Sequence, residues 1–134
     1  MASGYTVELT ATAEKTYNRA FEEARKCVTA GDSANAKVKH FRILQEALDT
    51  IIPHDPFSRK RALSGSLANI FRVKKGRIRI CYIGASEQKR LIVLYISDTP
   101  RKAGDSNDPY AILHRILRSG DCDPFFDDLG ISKP

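Results

Sequence analysis

Six consecutive residues, Leu91 to Ile96, are all apolar. The run is too short for a buried helix of about 10–12 residues. It is further still from the ~20 residues that cross a membrane. It suits a central β-strand covered on both faces. Two alternating segments precede it. Leu67 to Val73 sets Leu67, Asn69, Phe71 and Val73 against Ala68, Ile70 and Arg72, and Arg77 to Tyr82 sets Arg77, Arg79 and Cys81 against Ile78, Ile80 and Tyr82. Lys74-Lys-Gly76 and Gly84 to Gln88 read as turns. Links this short make the three strands an antiparallel meander.

The first half of the chain has a helical period instead. Tyr5 to Leu9 alternates and predicts a short strand. Tyr17, Phe21, Ala24 and Val28 share one face of a helix expected over 13–30, with Thr12 as N-cap and Gly31 as stop. Phe41, Leu44, Leu48 and Ile51 stripe a second helix over 34–52, capped by Asp32 or Ser33 and ended by Pro53. The short link predicts an antiparallel helical hairpin. After a polar loop, Asp108 caps a last short helix that opens with Pro109 and stops at Gly120. The fold class is α+β: an N-terminal strand, then an antiparallel helical hairpin packed on one face of a small, mostly antiparallel sheet (β-α-α-β-β-β), then a short C-terminal helix. The free sheet face could then present arginines. Residues 1–120 read as a single domain and 121–134 as an acidic tail, loosely packed or disordered.

The net charge of +6 is unevenly spread. Residues 59–102 carry 12 Lys/Arg against 2 Asp/Glu, a net of +10, whereas the flanking segments are −1 and −3. Such a patch attracts polyanions, of which nucleic acid is the commonest in cells; it also suits a plainly solvated face. Cys27, Cys81 and Cys122 are odd in number and widely spaced, which argues against a zinc site and a disulfide framework. No secretory signal and no membrane span is expected, and the chain reads as cytoplasmic. No phosphate-binding glycine loop, GxSxG or paired-carboxylate motif is present, and no cofactor is expected.

Arg77 and Arg79 point to one side of their strand. Arg72 lies on the preceding strand and Arg101 just beyond the apolar run, so the meander can bring them onto one concave surface. Arginine suits phosphate because its planar fork donates two hydrogen bonds and keeps its charge. Exposed edge arginines without a common target would give the same pattern. Tyr110 and His114 are one helical turn apart, and either can transfer a proton. Tyr110 also sits in a first helical turn, where free N–H groups favour an anion. Arg59, Lys60, Arg61, Lys75, Arg77 and Lys102 are candidates to carry an RNA backbone. His40 and His54 have no acidic or Cys partner at a useful spacing.

Leu63-Ser-Gly65, Asn69-Ile-Phe-Arg-Val73, Gly76-Arg-Ile-Arg-Ile-Cys-Tyr82 and the apolar run are similar, in order and spacing, to the C-terminal half of RelE/ParE-family bacterial toxins. The likeness spans about Tyr5 to Leu117. It implies a toxin of a toxin–antitoxin pair. RelE-like members cleave mRNA on the ribosome without a metal, by attack of a 2′-OH on the adjacent phosphate. ParE-like members inhibit DNA gyrase instead, and a degenerate member would only bind RNA or antitoxin. The resemblance implies that Arg79 and Arg101 contact phosphate and that Tyr110 lies near a C-terminal tyrosine, after a longer loop here. It sets Arg72 and Ile70 at the positions of a lysine pair that acts as base, leaving Lys74 or His114 to supply one. A cognate antitoxin and ribosome-bound mRNA are the implied partners.

Overall fold

A computed structural model describes residues 4–98 and 108–134. Its elements are β1 (Thr6–Leu9), α1 (Ala11–Thr29), α2 (Ala36–Glu46), a π-helical turn (Ala47–Ile51), a single turn α3 (Ile52–His54), a 3-10 turn (Gly65–Leu67), β2 (Phe71–Lys75), β3 (Ile78–Ala85), β4 (Arg90–Ser97), α4 (Pro109–Ser119) and α5 (Asp123–Leu129). The strands form one sheet in the order β1-β4-β3-β2. The meander β2-β3-β4 is antiparallel, and β1 joins the outer side of β4 in parallel. The α+β class and the central, doubly covered apolar strand are as the sequence predicts.

Several boundaries move, each for a local reason. Thr10, not Thr12, caps α1: its Oγ1 accepts from Ala13 N and donates to Leu94 O. Helix and central strand are thereby tied at one hydroxyl. Asn35, not Asp32 or Ser33, caps α2 by accepting from Lys37 N, and its amide donates to Asp32 Oδ2. The second helix widens into the π turn just ahead of Pro53, which has no N–H to donate. The second strand starts at Phe71 rather than Leu67. Gly65 and Asn69 both adopt positive φ, which turns the chain and interrupts the expected alternation. Lys74 and Lys75 therefore belong to β2, and the hairpin turn is Gly76-Arg77. Gly76 supplies the positive φ that a two-residue hairpin loop needs at its first position.

Both faces of the sheet are covered. Val73, Ile78, Ile80, Tyr82 and Val93 pack against Ala20, Ala24, Phe41 and Leu44 of the helical hairpin. The α1 face is turned from the one expected: Ala13, Ala20 and Ala24 are buried, while Phe21 and Val28 remain exposed. The other face, expected to be free, carries Ile70, Cys81, Ile83, Ile92 and Leu94 under Leu113 and Leu117 of α4 and Phe126 and Leu129 of α5. The residues after Gly120, expected to be loose or disordered, thus contribute a helix to a second core. Asn69 Nδ2 donates to Ser132 O, and Lys133 Nζ to Leu117 O, so the last residues are also tied down.

Candidate active site

Side chains alternate along a strand, so β2 sends Arg72 and Lys74 to the α4 side, and β3 sends Arg79 and Cys81 to the same side. The register sets Arg72 opposite Cys81 and Lys74 opposite Arg79. Strand β4 completes the face through a bulge. Cys81 pairs with Tyr95 but Tyr82 with Val93, so β4 carries one extra residue there. Leu94 and Tyr95 consequently both enter the α4-side core, and Ser97 falls opposite Arg79. A bulge re-aims side chains in this way.

Helix α4 lies over this end of the sheet. Arg72 Nη1 donates to the Tyr110 hydroxyl at 2.6 Å. Ser66 Oγ lies 3.4 Å from His114 Nε2. Tyr110 and His114 share a face of α4, as the spacing predicts. The N-terminus of α4 is not an open anion site, because the Asp108 carboxylate accepts from Tyr110 N.

The arginines carry the electrostatics. Arg79 is only 7% exposed. Its Nη1 and the Nε of Arg72 are buried without a hydrogen-bond partner among the described residues. Among the described residues neither guanidinium has an ion-pairing carboxylate. Between them, burial pushes the Cys81 thiol up to about 12, against the opposing pull of Arg72 and Arg79, so it stays neutral. Burial likewise raises the Tyr95 hydroxyl, opposed by its hydrogen bond with Ser97. Two strands thus set buried cationic donors on one face of the sheet, an arrangement that an anion could satisfy.

Other candidates fall elsewhere. Arg77 does not converge with Arg79: it occupies the hairpin turn and, with Lys75, lines a groove against α2. Arg61 is engaged in holding the fold, donating to Ile51 O and Asp55 O. Arg59 and Lys60 are exposed in the loop after α3. Ile70 is fully buried and belongs to the core. Arg101 and Lys102 lie outside the described residues. Tyr82 is structural, its hydroxyl donating to Pro56 O from a fully buried ring.

Two groupings escaped sequence reasoning. Tyr95 and Ser97 join the arginine face only because of the bulge, and a uniformly apolar run shows no phase break. His40 does have an acidic partner: its Nε2 is 3.6 Å from Asp98 Oδ2, which also pairs with Arg19 at 3.1 Å. No local spacing could reveal a pairing between residues so distant in sequence. Among the described residues no three His, Cys, Asp or Glu side chains cluster to hold a metal, and no helix is long and apolar enough to cross a membrane.

Residues 6–131 match a family described as a toxin with endonuclease activity, of a toxin–antitoxin system. No curated protein shows a significant match to the sequence. Among solved structures, the toxin–antitoxin complex RelBE2 from Mycobacterium tuberculosis contains a similar chain, with a TM-score of 0.52 and 18% identity. The match covers 69% of this chain and 88% of that one. At that identity the likeness speaks for the fold alone.

Proposed function

The chain belongs to the family of endonuclease toxins of toxin–antitoxin systems, and on that basis we propose that it is a ribosome-dependent endoribonuclease whose Arg72–Arg79 face holds the scissile phosphate of mRNA. The observation that carries the proposal is the pair of buried guanidinium N–H groups without an acceptor among the described residues. An unpaired buried donor costs about 1–3 kcal/mol. A phosphate would satisfy both, and its charge grows when a fifth oxygen adds to phosphorus, so these donors would serve the transition state most.

The reaction this face suits is internal transfer. The ribose 2′-oxygen attacks the adjacent phosphorus and gives its proton to a base. The P–O5′ bond breaks, and the departing 5′-oxygen takes a proton from an acid. The products are a 2′,3′-cyclic phosphate and a free 5′-OH. In this reading Tyr110 is the acid. Its oxygen already accepts from Arg72, which fixes the phenol beside the phosphate. Arg72 is a poor base, since its pKa exceeds about 12. Lys74, on the same face as Arg79, and His114, one helical turn from Tyr110, are the groups that can accept the 2′-proton.

Primer extension on a reporter mRNA during in vitro translation tests the reading. Wild-type protein should create codon-spaced 5′ ends only when ribosomes are present. Arg79→Ala should slow cleavage by about 10²–10³, the usual cost of losing one charged transition-state contact. Cleavage by folded Arg79→Ala at the wild-type rate would remove Arg79 from the site. An intact message during continuing translation would overturn the activity.

A further inference from the structure

We propose that the groove between α2 and the β2–β3 turn is a second RNA subsite, which holds single-stranded RNA flanking the scissile phosphate. The inference rests on the nuclease reading of the Arg72–Arg79 face and extends it around the end of the sheet.

Ala36, Lys39, His40 and Ile43 recur at helical spacing and share one face of α2. That face meets Lys75, Gly76, Arg77 and Ile78 across a groove of about 210 Å³. The rim is cationic. Lys39, Lys75 and Arg77 are exposed, and among the described residues none has an ion-pair partner. Two carboxylates lie near the rim: Asp98 is paired with Arg19 and His40, and exposed Glu46 borders the adjoining hollow with Ile43, Lys75 and Gly76. The floor is aliphatic, with Ile43 left 43% exposed. Cations for a backbone beside an apolar surface for base faces is the arrangement that single-stranded nucleic acid needs.

Continuity with the phosphate site favours RNA over an acidic peptide. Across the hairpin Lys74 pairs with Arg79 and Lys75 with Ile78. Consecutive side chains point to opposite faces. The hairpin end therefore carries Lys74 and Arg79 on the α4 side and Lys75 on the α2 side, with Arg77 in the turn between. A strand leaving the scissile phosphate can cross this end beside Lys74, Arg77 and Lys75 in turn.

The test uses fluorescently labelled 2′-O-methyl oligonucleotides, which lack the attacking hydroxyl and so report binding alone. A trimer and a decamer are titrated by anisotropy at several salt concentrations. The proteins are wild type, Arg79→Ala, Lys75→Glu/Arg77→Glu and, independently on α2, Lys39→Glu. The decamer should bind wild type at least tenfold tighter than the trimer. The double variant should lose that gain, with its log–log salt slope shallower by at least about 1.4 for two lost phosphate contacts. Lys39→Glu should lose part of it. Trimer affinity should depend on Arg79 and not on the groove. Decamer binding by the folded double variant at the wild-type affinity would overturn the subsite. So would a double variant that loses only a glutamate decapeptide, since the groove would then be a protein-docking surface. A trimer indifferent to Arg79 would instead remove the phosphate site, and the decamer would still score the groove.

Discussion

Arg79 is a poor choice for stability. It sits 7% exposed at the hairpin end of a sheet face, with one guanidinium nitrogen unpartnered among the described residues. Burying an unpaired cation is costly, and replacement by an apolar side chain of similar length is often stabilising. Arg79→Met should therefore raise stability by about 1–3 kcal/mol, read as a higher urea midpoint at unchanged slope, while abolishing cleavage. A destabilised Arg79→Met protein would mean that the arginine is retained for its packing stem instead. Arg72 differs in having a protein partner. Its contact with Tyr110 makes the two one unit, so Tyr110→Phe should slow cleavage with little change in RNA affinity, as measured by single-turnover rates and anisotropy. Unchanged turnover would mark Tyr110 as a packing residue. That Arg72 and Tyr110 meet was not legible in the sequence. Each was singled out alone, because a contact between residues 38 apart leaves no local pattern.

At the level of elements, period and turn chemistry carried the reading a long way. The three meander strands, the helical hairpin and the last helix follow from alternation, a 3.6-residue stripe and the Asp108-Pro109 start. What failed was phase. Leu91 to Ile96 is apolar on both sides, so nothing in it marks the bulge that turns Tyr95 and Ser97 toward the arginines. Leu67 to Val73 alternates well enough to pass for a strand, yet Gly65 and Asn69 bend its first half out of the sheet. The pairing of β1 with β4 was equally hidden. It is reinforced by Arg90, which donates through Nε and Nη2 to the two carboxylate oxygens of Glu8. That hydrogen bonding holds the Glu8 carboxyl below its ordinary 4.5. A depressed folded-state value means stabilisation that is present above about pH 4.5 and lost as acid protonates Glu8 through its lower folded value. The Arg90 and Glu8 side chains are 31% and 41% exposed, so solvent screens the pair and its contribution is small. Glu8→Gln should accordingly melt lower than wild type at pH 7, with the gap closing below pH 4. A gap that persists in acid would show that the pair contributes nothing.

The whole molecule is a sheet between two cores. The helical hairpin makes one, and the C-terminal helices make the other, on the side that bears the arginines. Residues that read as an acidic tail thus complete the core on the side of the sheet that bears the arginines. Phe126 is 1% exposed. Phe126→Ala should cost about 3–5 kcal/mol, by urea denaturation, and should lower cleavage with it. A loss under 1 kcal/mol would leave α5 a surface appendage.

The parallel pairing of β1 with β4 bears on when such a chain becomes dangerous. Leu9 pairs with Val93, so the first strand to emerge from a ribosome waits for nearly the last. At about 5–20 residues per second, the 84 residues between them take roughly 4–17 s. Non-local pairing of this kind is slow to form in any case. Arg72 and Arg79 are made late in that interval, and Tyr110 only after Val93, so the pieces of the candidate site cannot meet before it ends. Topology thereby imposes a delay between the synthesis of the first strand and the completion of the sheet, an interval in which a partner translated alongside could reach the nascent toxin.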